Sequence, residues 1–183
     1  MATTRTLRVL YHPDRRRIID VLTARGASRV GDIASALDLR VGSISHHLRM
    51  LESEGFVERA DELRADGRTS WWRPVPRSLT WSVDDFADDG SDVALARDLE
   101  RANIQYQLDR LAEWKRRAPR AALEWRQAAF SSDNVDRATP EELRRLSEAL
   151  TTTVHEWRRS IDAEDGQERE AVRVFTHAFP LPS

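Results

Sequence analysis

The sequence predicts an α+β fold that is mostly helical. A helical first part closes on a β-hairpin, and a long helix and a small helix/strand module follow it. Three observations carry this. Val41, Ile44, Leu48 and Leu51 fall at i, i+3, i+7 and i+10, a single apolar stripe of helical period. Asp66-Gly67 lies between two stretches rich in β-forming residues, a turn dipeptide between strands. The span from about Asp92 to Arg117 carries apolar residues at helical spacing with no proline, and Pro119 stops it.

Each element follows from local chemistry. Arg5 to Tyr11 reads as a short helix carrying Leu7 and Leu10. Pro13 suits the first position of the next helix, where the missing N–H costs nothing, and Gly26 suits its end. Ile18, Val21 and Leu22 form its inner face. A helix from Ser28 or Arg29 to about Ala36 turns Ile33, Ala34 and Leu37 inward, with Asp32 near its positive end. Asp38-Leu39-Arg40 is a tight connection, and the striped helix runs from about Val41 to Glu54 until Gly55 stops it. Strands are expected from Phe56 to about Glu62 and from Arg68 to Val75.

Residues 80–91 read as an acidic linker, with Asp84, Asp85, Asp88 and Asp89, and Ser91 stands ready to cap the long helix. The domains expected are therefore 1–79, then the linker, then 92–183 for dimerisation and possible effector binding. Thr139-Pro140-Glu141-Glu142 combines a cap, a first-position proline and a capping-box glutamate, so a helix should run from there to about Ile161. The alternation of Ala171 to Phe179 predicts a strand, with a partner near Gln127 to Ala138. Ala121 to Ala129 reads equally well as helix.

Composition sets outer limits. The chain has 183 residues and no cysteine, so disulfides, thiolate metal sites and cysteine nucleophiles are excluded. Lys115 is the one lysine. No signal-like N-terminus or apolar run of membrane length is seen, and a cytoplasmic protein is expected. Residues 1–79 hold 14 arginines against 10 acidic residues. Residues 80–183 hold 15 basic against 21 acidic residues. Only the first part suits a polyanion.

Two helices joined by a tight turn can set the second into a DNA major groove, and a following hairpin makes a wing. With Val41, Ile44, Leu48 and Leu51 turned inward, the other side offers Arg40, Gly42, Ser43, Ser45, His46 and Arg49. No acid precedes Glu52. Gly42 and Ser43 permit close approach, Ser45 and His46 can reach base edges, and Arg49 suits guanine or phosphate. Val41, at the helix start, is counted with this DNA-binding set. Arg64 and Arg68 flank the wing turn and suit phosphates or a minor groove, or serve as a charged loop tip. His47 is expected to pack between helices.

The segment Val30 to Val57 resembles the DNA-binding core of ArsR-type winged-helix regulators. Ser45-His46-His47-Leu48, Leu51-Glu52 and Gly55-Phe56-Val57 carry the likeness, and His12-Pro13-Asp14-Arg15 sits at the family's proline-containing helix start. The likeness covers roughly residues 5–79. Beyond residue 80 the chain resembles a looser group of actinobacterial winged-helix proteins with a Trp-containing C-terminal region. The resemblance implies a homodimer paired through the long helix, double-stranded DNA as partner, and repression. It departs from the family's metal sensors, which use cysteines before the recognition helix or His and carboxylate pairs in the last helix. Here there is no cysteine, and Asp92 to Arg117 has no His. No metal or other cofactor is expected. Arg40 stands where the family keeps a capping Ser or Thr.

Trp114, Trp125, Phe130, Trp157 and Phe175 could line a pocket for an apolar effector, or belong to ordinary core and dimer packing. No phosphate loop, nucleophile elbow or zinc-hydrolase spacing occurs, so an enzyme is not expected. Two alternatives remain at this level. One is a winged-helix protein-interaction module without DNA binding. The other is a small-molecule sensor built on the C-terminal aromatics.

Overall fold

The computed structural model describes residues 3–63, 70–77, 79–87, 90–162 and 165–181. Its helices are α1 (Thr4–Leu10), α2 (Pro13–Arg25), α3 (Val30–Leu37), α4 (Val41–Ser53), α5 (Gly90–Arg117), α6 (Leu123–Ala128) and α7 (Pro140–Ser160). Its strands are β1 (Ser28–Arg29), β2 (Val57–Arg59) and β3 (Trp71–Pro74). The chain divides into two units, Met1–Glu113 and Trp114–Ser183.

In the first unit the helix ends follow local rules. The Thr3 hydroxyl accepts the Thr6 N–H at 3.1 Å and caps α1. His12 caps α2 with its ring, Nδ1 accepting the Asp14 N–H at 3.2 Å, and Pro13 fills the first position as expected. The α3–α4 turn passes through Asp38 at φ 53° and ψ 49°, a left-handed conformation that a short polar side chain tolerates. Gly55, at φ 70°, ends α4 and redirects the chain into β2.

The sheet is antiparallel with order β1-β3-β2. Ser28 faces Trp72 on one side, and Glu58 faces Arg73 on the other. The two wing strands agree with the sequence reading. The two-residue β1 has no counterpart there, because so short a strand has no periodicity to read. Arg73 pairs with Glu58 at 2.7 Å and also with Glu62.

The main core collects Val9, Ile18, Leu22, Ile33, Leu37, Ile44, Leu48, Leu51, Phe56, Val57 and Trp72. It joins α2, α3 and α4 to the sheet, so the α4 stripe is what fixes the helix in place. A second cluster sets Leu7 of α1 and Tyr11, which follows that helix, against Phe86 and Ala96, with Trp81 and Leu99 packed on it. The Trp81 indole donates to the Tyr11 hydroxyl at 2.8 Å. Burial pushes the Tyr11 hydroxyl pKa above its ordinary value. The stretch read from sequence as an acidic linker thus puts its aromatics inward, while Asp84 and Asp85 stay exposed. Asp88 and Asp89 lie outside the described residues.

Arg16 ties α2 to α5. Its guanidinium lies 3.6 Å from the Tyr106 ring centroid and donates to Asn103 Oδ1 at 2.7 Å. Helix α5 begins at Gly90, so Ser91 stands in its first turn and not at its cap. Its exposed side carries Ile104, Leu108 and Leu111.

In the second unit, Thr139 and Glu142 form the expected capping box at the start of α7. Helix α6 realises the helical reading of residues 121–129. The strand expected over 171–179 does not form, and residues 171–181 carry no regular element. Nor do residues 129–138 pair with it. An alternating sequence makes a strand only where a ladder partner is supplied, and none is supplied among the described residues of this unit.

Candidate nucleic-acid interface

Helix α4 is anchored on one side and bare on the other. Ile44, Leu48 and Leu51 are fully buried, and His47 nearly so. Arg40, Gly42, His46 and Arg49 are exposed, and Ser43 and Ser45 are partly so. Val41, read from sequence as part of the inward stripe, is 55% exposed. At the first position of a helix, a side chain stands beyond the reach of the core below it. Val41 therefore joins the bare face.

The start of α4 has no side-chain cap, because Arg40 makes none. Its first N–H groups and the positive end of the helix dipole are left to outside partners. A Cβ built on Gly42 meets nothing within 4 Å. The fold itself therefore has no need of a glycine there. Arg49 Nε donates to the Ser45 carbonyl at 3.2 Å, which lays the side chain along the helix.

Arg49 and Ser45 also line an open hollow of about 410 Å3, shared with Val30, Arg59, Ser70 and Trp72. It lies where the reading helix meets the wing strands. Arg59 stacks over Trp72 at 4.9 Å and pairs with Glu52 at 3.5 Å. Trp72 is buried, and its indole N–H has no hydrogen-bond partner among the described residues. Sequence reasoning misses Arg59. Its position in β2, across from the reading helix, is a product of sheet register. Arg64 and Arg68, the wing-tip candidates, lie outside the described residues.

His47 packs between helices, as expected. Its ring lies 4.8 Å from that of His12 and 5.7 Å from that of His46. Its Nε2 is 3.8 Å from Asp14 Oδ2, and its Nδ1 is 3.5 Å from Arg15 Nη1. Arg15 is itself buried, donating to the Val9 carbonyl at 2.6 Å and the Arg8 carbonyl at 2.9 Å. Burial, helped by the Arg15 charge and the neighbouring imidazoles, lowers the pKa of both His12 and His47, against the opposing pull of Asp14. His12, Asp14 and His47 are the group of ligand-type side chains that the described residues bring together.

Residues 12–59 match the family model described as "Bacterial regulatory protein, arsR family". The match covers about a quarter of the chain and marks what that segment is similar to. It runs from the His12 cap through the reading helix to Arg59. No curated protein sequence matches the chain. Among solved structures, reduced HlyU from Vibrio cholerae is 21% identical, with 53% of this chain and 83% of that one covered and a TM-score of 0.33. A homodimeric winged helix-turn-helix DNA-binding domain from Mycobacterium bovis, a possible ArsR-family regulator, is 26% identical. The match covers 56% of this chain and 76% of that one, with a TM-score of 0.35. A mutant of Lactococcus lactis ZitR is 15% identical over 80% of this chain and 75% of that one, again with a TM-score of 0.35. The matched segment thus holds all of the DNA-binding candidates except the wing-tip arginines.

The aromatic set considered for an effector lies wholly outside that segment. Trp114, Trp125 and Phe175 are partly exposed, Trp157 is 44% exposed and Phe130 is 86% exposed. No described residue from 114 to 183 is buried, so these five rings do not enclose an apolar pocket within this unit. No helix among the described residues is long and apolar enough to cross a membrane.

Proposed function

We propose that the chain is a sequence-specific regulator of transcription that binds double-stranded DNA as a homodimer and acts as a repressor. The single observation that supports this best is the two-sidedness of α4. One side is locked into the core by Ile44, Leu48 and Leu51. The other presents Arg40, Val41, Gly42, Ser43, Ser45, His46 and Arg49, with no acidic residue before Glu52. A helix that enters a major groove needs both properties at once. Its uncapped positive end suits a phosphate, and Arg59 extends the cationic rim toward the wing.

Dimerisation is assigned to α5, whose exposed Ile104, Leu108 and Leu111 repeat at helical spacing. A two-fold pair would present two reading helices about 34–36 Å apart, matching successive major-groove faces of a near-palindromic site. Occupying a promoter in this way excludes polymerase.

Gel-shift binding to the DNA upstream of the protein's own gene, at two salt concentrations, tests the reading. Affinity should fall steeply with salt as phosphate contacts release counterions. Arg49→Ala should weaken binding by about 1–3 kcal/mol and relax preference at one base position. Salt-insensitive binding, or an Arg49→Ala protein that binds like the parent, would overturn the assignment. An interaction module without DNA binding would show just that indifference to Arg49.

A further inference from the structure

We propose that His12, Asp14 and His47 form a binding site for a divalent transition-metal ion of the zinc type, bridging the start of α2 and the inner side of α4. The site is independent of the DNA reading, and its residues belong to none of the contacts assigned above.

The donor set is two imidazoles and one carboxylate, which suits zinc and its neighbours and not calcium or magnesium. One ligand atom from each residue lies within 4.8 Å of the other two. Bonds to zinc of about 2.0–2.2 Å would set such atoms somewhat over 3 Å apart. The His47 Nε2 to Asp14 Oδ2 separation, 3.8 Å, is already close to that. The remaining contraction falls on His12 and Asp14, which are partly exposed, while His47 is held in the core; Asp14 Oδ1 meets Arg17 Nη1 at 3.5 Å and leaves Oδ2 toward His47.

Two features oppose the ion and set its affinity below that of a closed structural site. His12 Nδ1 now accepts the Asp14 N–H at 3.2 Å, a long cap that ligation through this atom would break. Ligation through His47 Nε2 puts the ring proton on Nδ1, facing Arg15 Nη1. That arrangement replaces a 3.5 Å interaction with two N–H donors facing each other, while Arg15 keeps its two backbone acceptors.

Metal-free full-length protein should be titrated at about pH 7.5, with imidazoles neutral. Co2+ is followed by visible absorbance and Zn2+ by calorimetry. One ion per chain is expected, with Co2+ bands of nitrogen and oxygen coordination. His12→Ser keeps a capping oxygen at the head of α2 and removes a ligand. Asp14→Asn keeps the shape and removes the charge. Each should weaken Zn2+ binding about tenfold or more. In the unaltered protein, Zn2+ should shift the ring-proton resonances of His12 and His47 and leave those of His155 and His177 in place. The proposal is overturned if the protein binds no Zn2+ at millimolar concentration. It is equally overturned if the two variants bind as the parent does, or if the resonances that move are those of His155 and His177.

Discussion

Helices α4 and α7 are both amphipathic, and by local rules α7 is the better made. It is 21 residues long against 13, with a proline at its first position and a complete capping box. Helix α4 lacks a side-chain cap and holds a glycine at its second residue. Yet α4 buries three aliphatic side chains completely. Helix α7 buries none, leaving Leu146 48% and Leu150 38% exposed. What separates them is supply of partners. Helices α2 and α3 and the sheet surround α4 on its apolar side, and no described element of the second unit does the same for α7. Capping decides where a helix starts. Packing decides whether it is held.

The sharpest way to break this contrast is to delete the same side chain from each. Leu48→Ala should cost about 2–5 kcal/mol, since the leucine is fully buried in a core that cannot collapse freely. Leu150→Ala should cost less than about 0.5 kcal/mol in the monomer, as an exposed change does. Urea unfolding of the two variants measures both. Equal losses would mean that α7 is packed in the working assembly, and that its face meets something the single chain does not contain.

Acid should act next, on the first unit. His12 and His47 have lowered pKa values in the folded protein, through burial first and neighbouring cations second. As pH falls through the ordinary histidine value, near 6.5, the unfolded chain takes up protons that the folded chain still refuses. Stability is therefore full above that value and declines below it, until the folded rings also protonate. Thermal unfolding followed from about pH 7.5 to about pH 5, a span that brackets that value, should show the main transition moving down. His47→Gln should flatten the slope.

The same contrast explains which features can be read from the sequence. The α4 stripe, the Pro13 start, the Gly26 stop and the Thr139 box are all legible, because each depends on neighbours within a turn or two. Periodicity misplaces Val41 because it extends a stripe to the helix end without knowing where the core stops. Trp81 and Phe86 pass for part of a linker because the surrounding aspartates dominate the composition. Arg59 and the His12–Asp14–His47 group are invisible for a common reason. Residues 12 and 47 are brought together by the α2–α4 crossing, and residue 59 is aligned by sheet register, neither of which leaves a local pattern. The strand expected over 171–179 shows the converse. Alternation is present, but it specifies a face and not a partner.

Thr139→Ala tests the quality of α7 directly. Removing a cap that binds the Glu142 N–H and is bound in return should cost the helix about 1 kcal/mol. Since α7 is not held by packing, this loss should appear as reduced helical circular dichroism with the main unfolding transition unmoved. In α4, which starts without a side-chain cap, no such local handle exists.

The smallest expected effect on stability comes from Gly42→Ala, and it is the one that separates fold from function. Alanine in place of glycine inside a helix stabilises it by about 0.5–1 kcal/mol, mainly through the unfolded chain. The added methyl meets no atom of the protein within 4 Å, so no strain opposes that gain. The variant should unfold at slightly higher urea. If the bare side of α4 lies against DNA, the same methyl occupies the space through which the helix approaches, and affinity should drop while stability rises. A protein improved in both respects would mean that the start of α4 does not approach the bases closely. Recognition would then rest on Ser45 and Arg49 further along the helix.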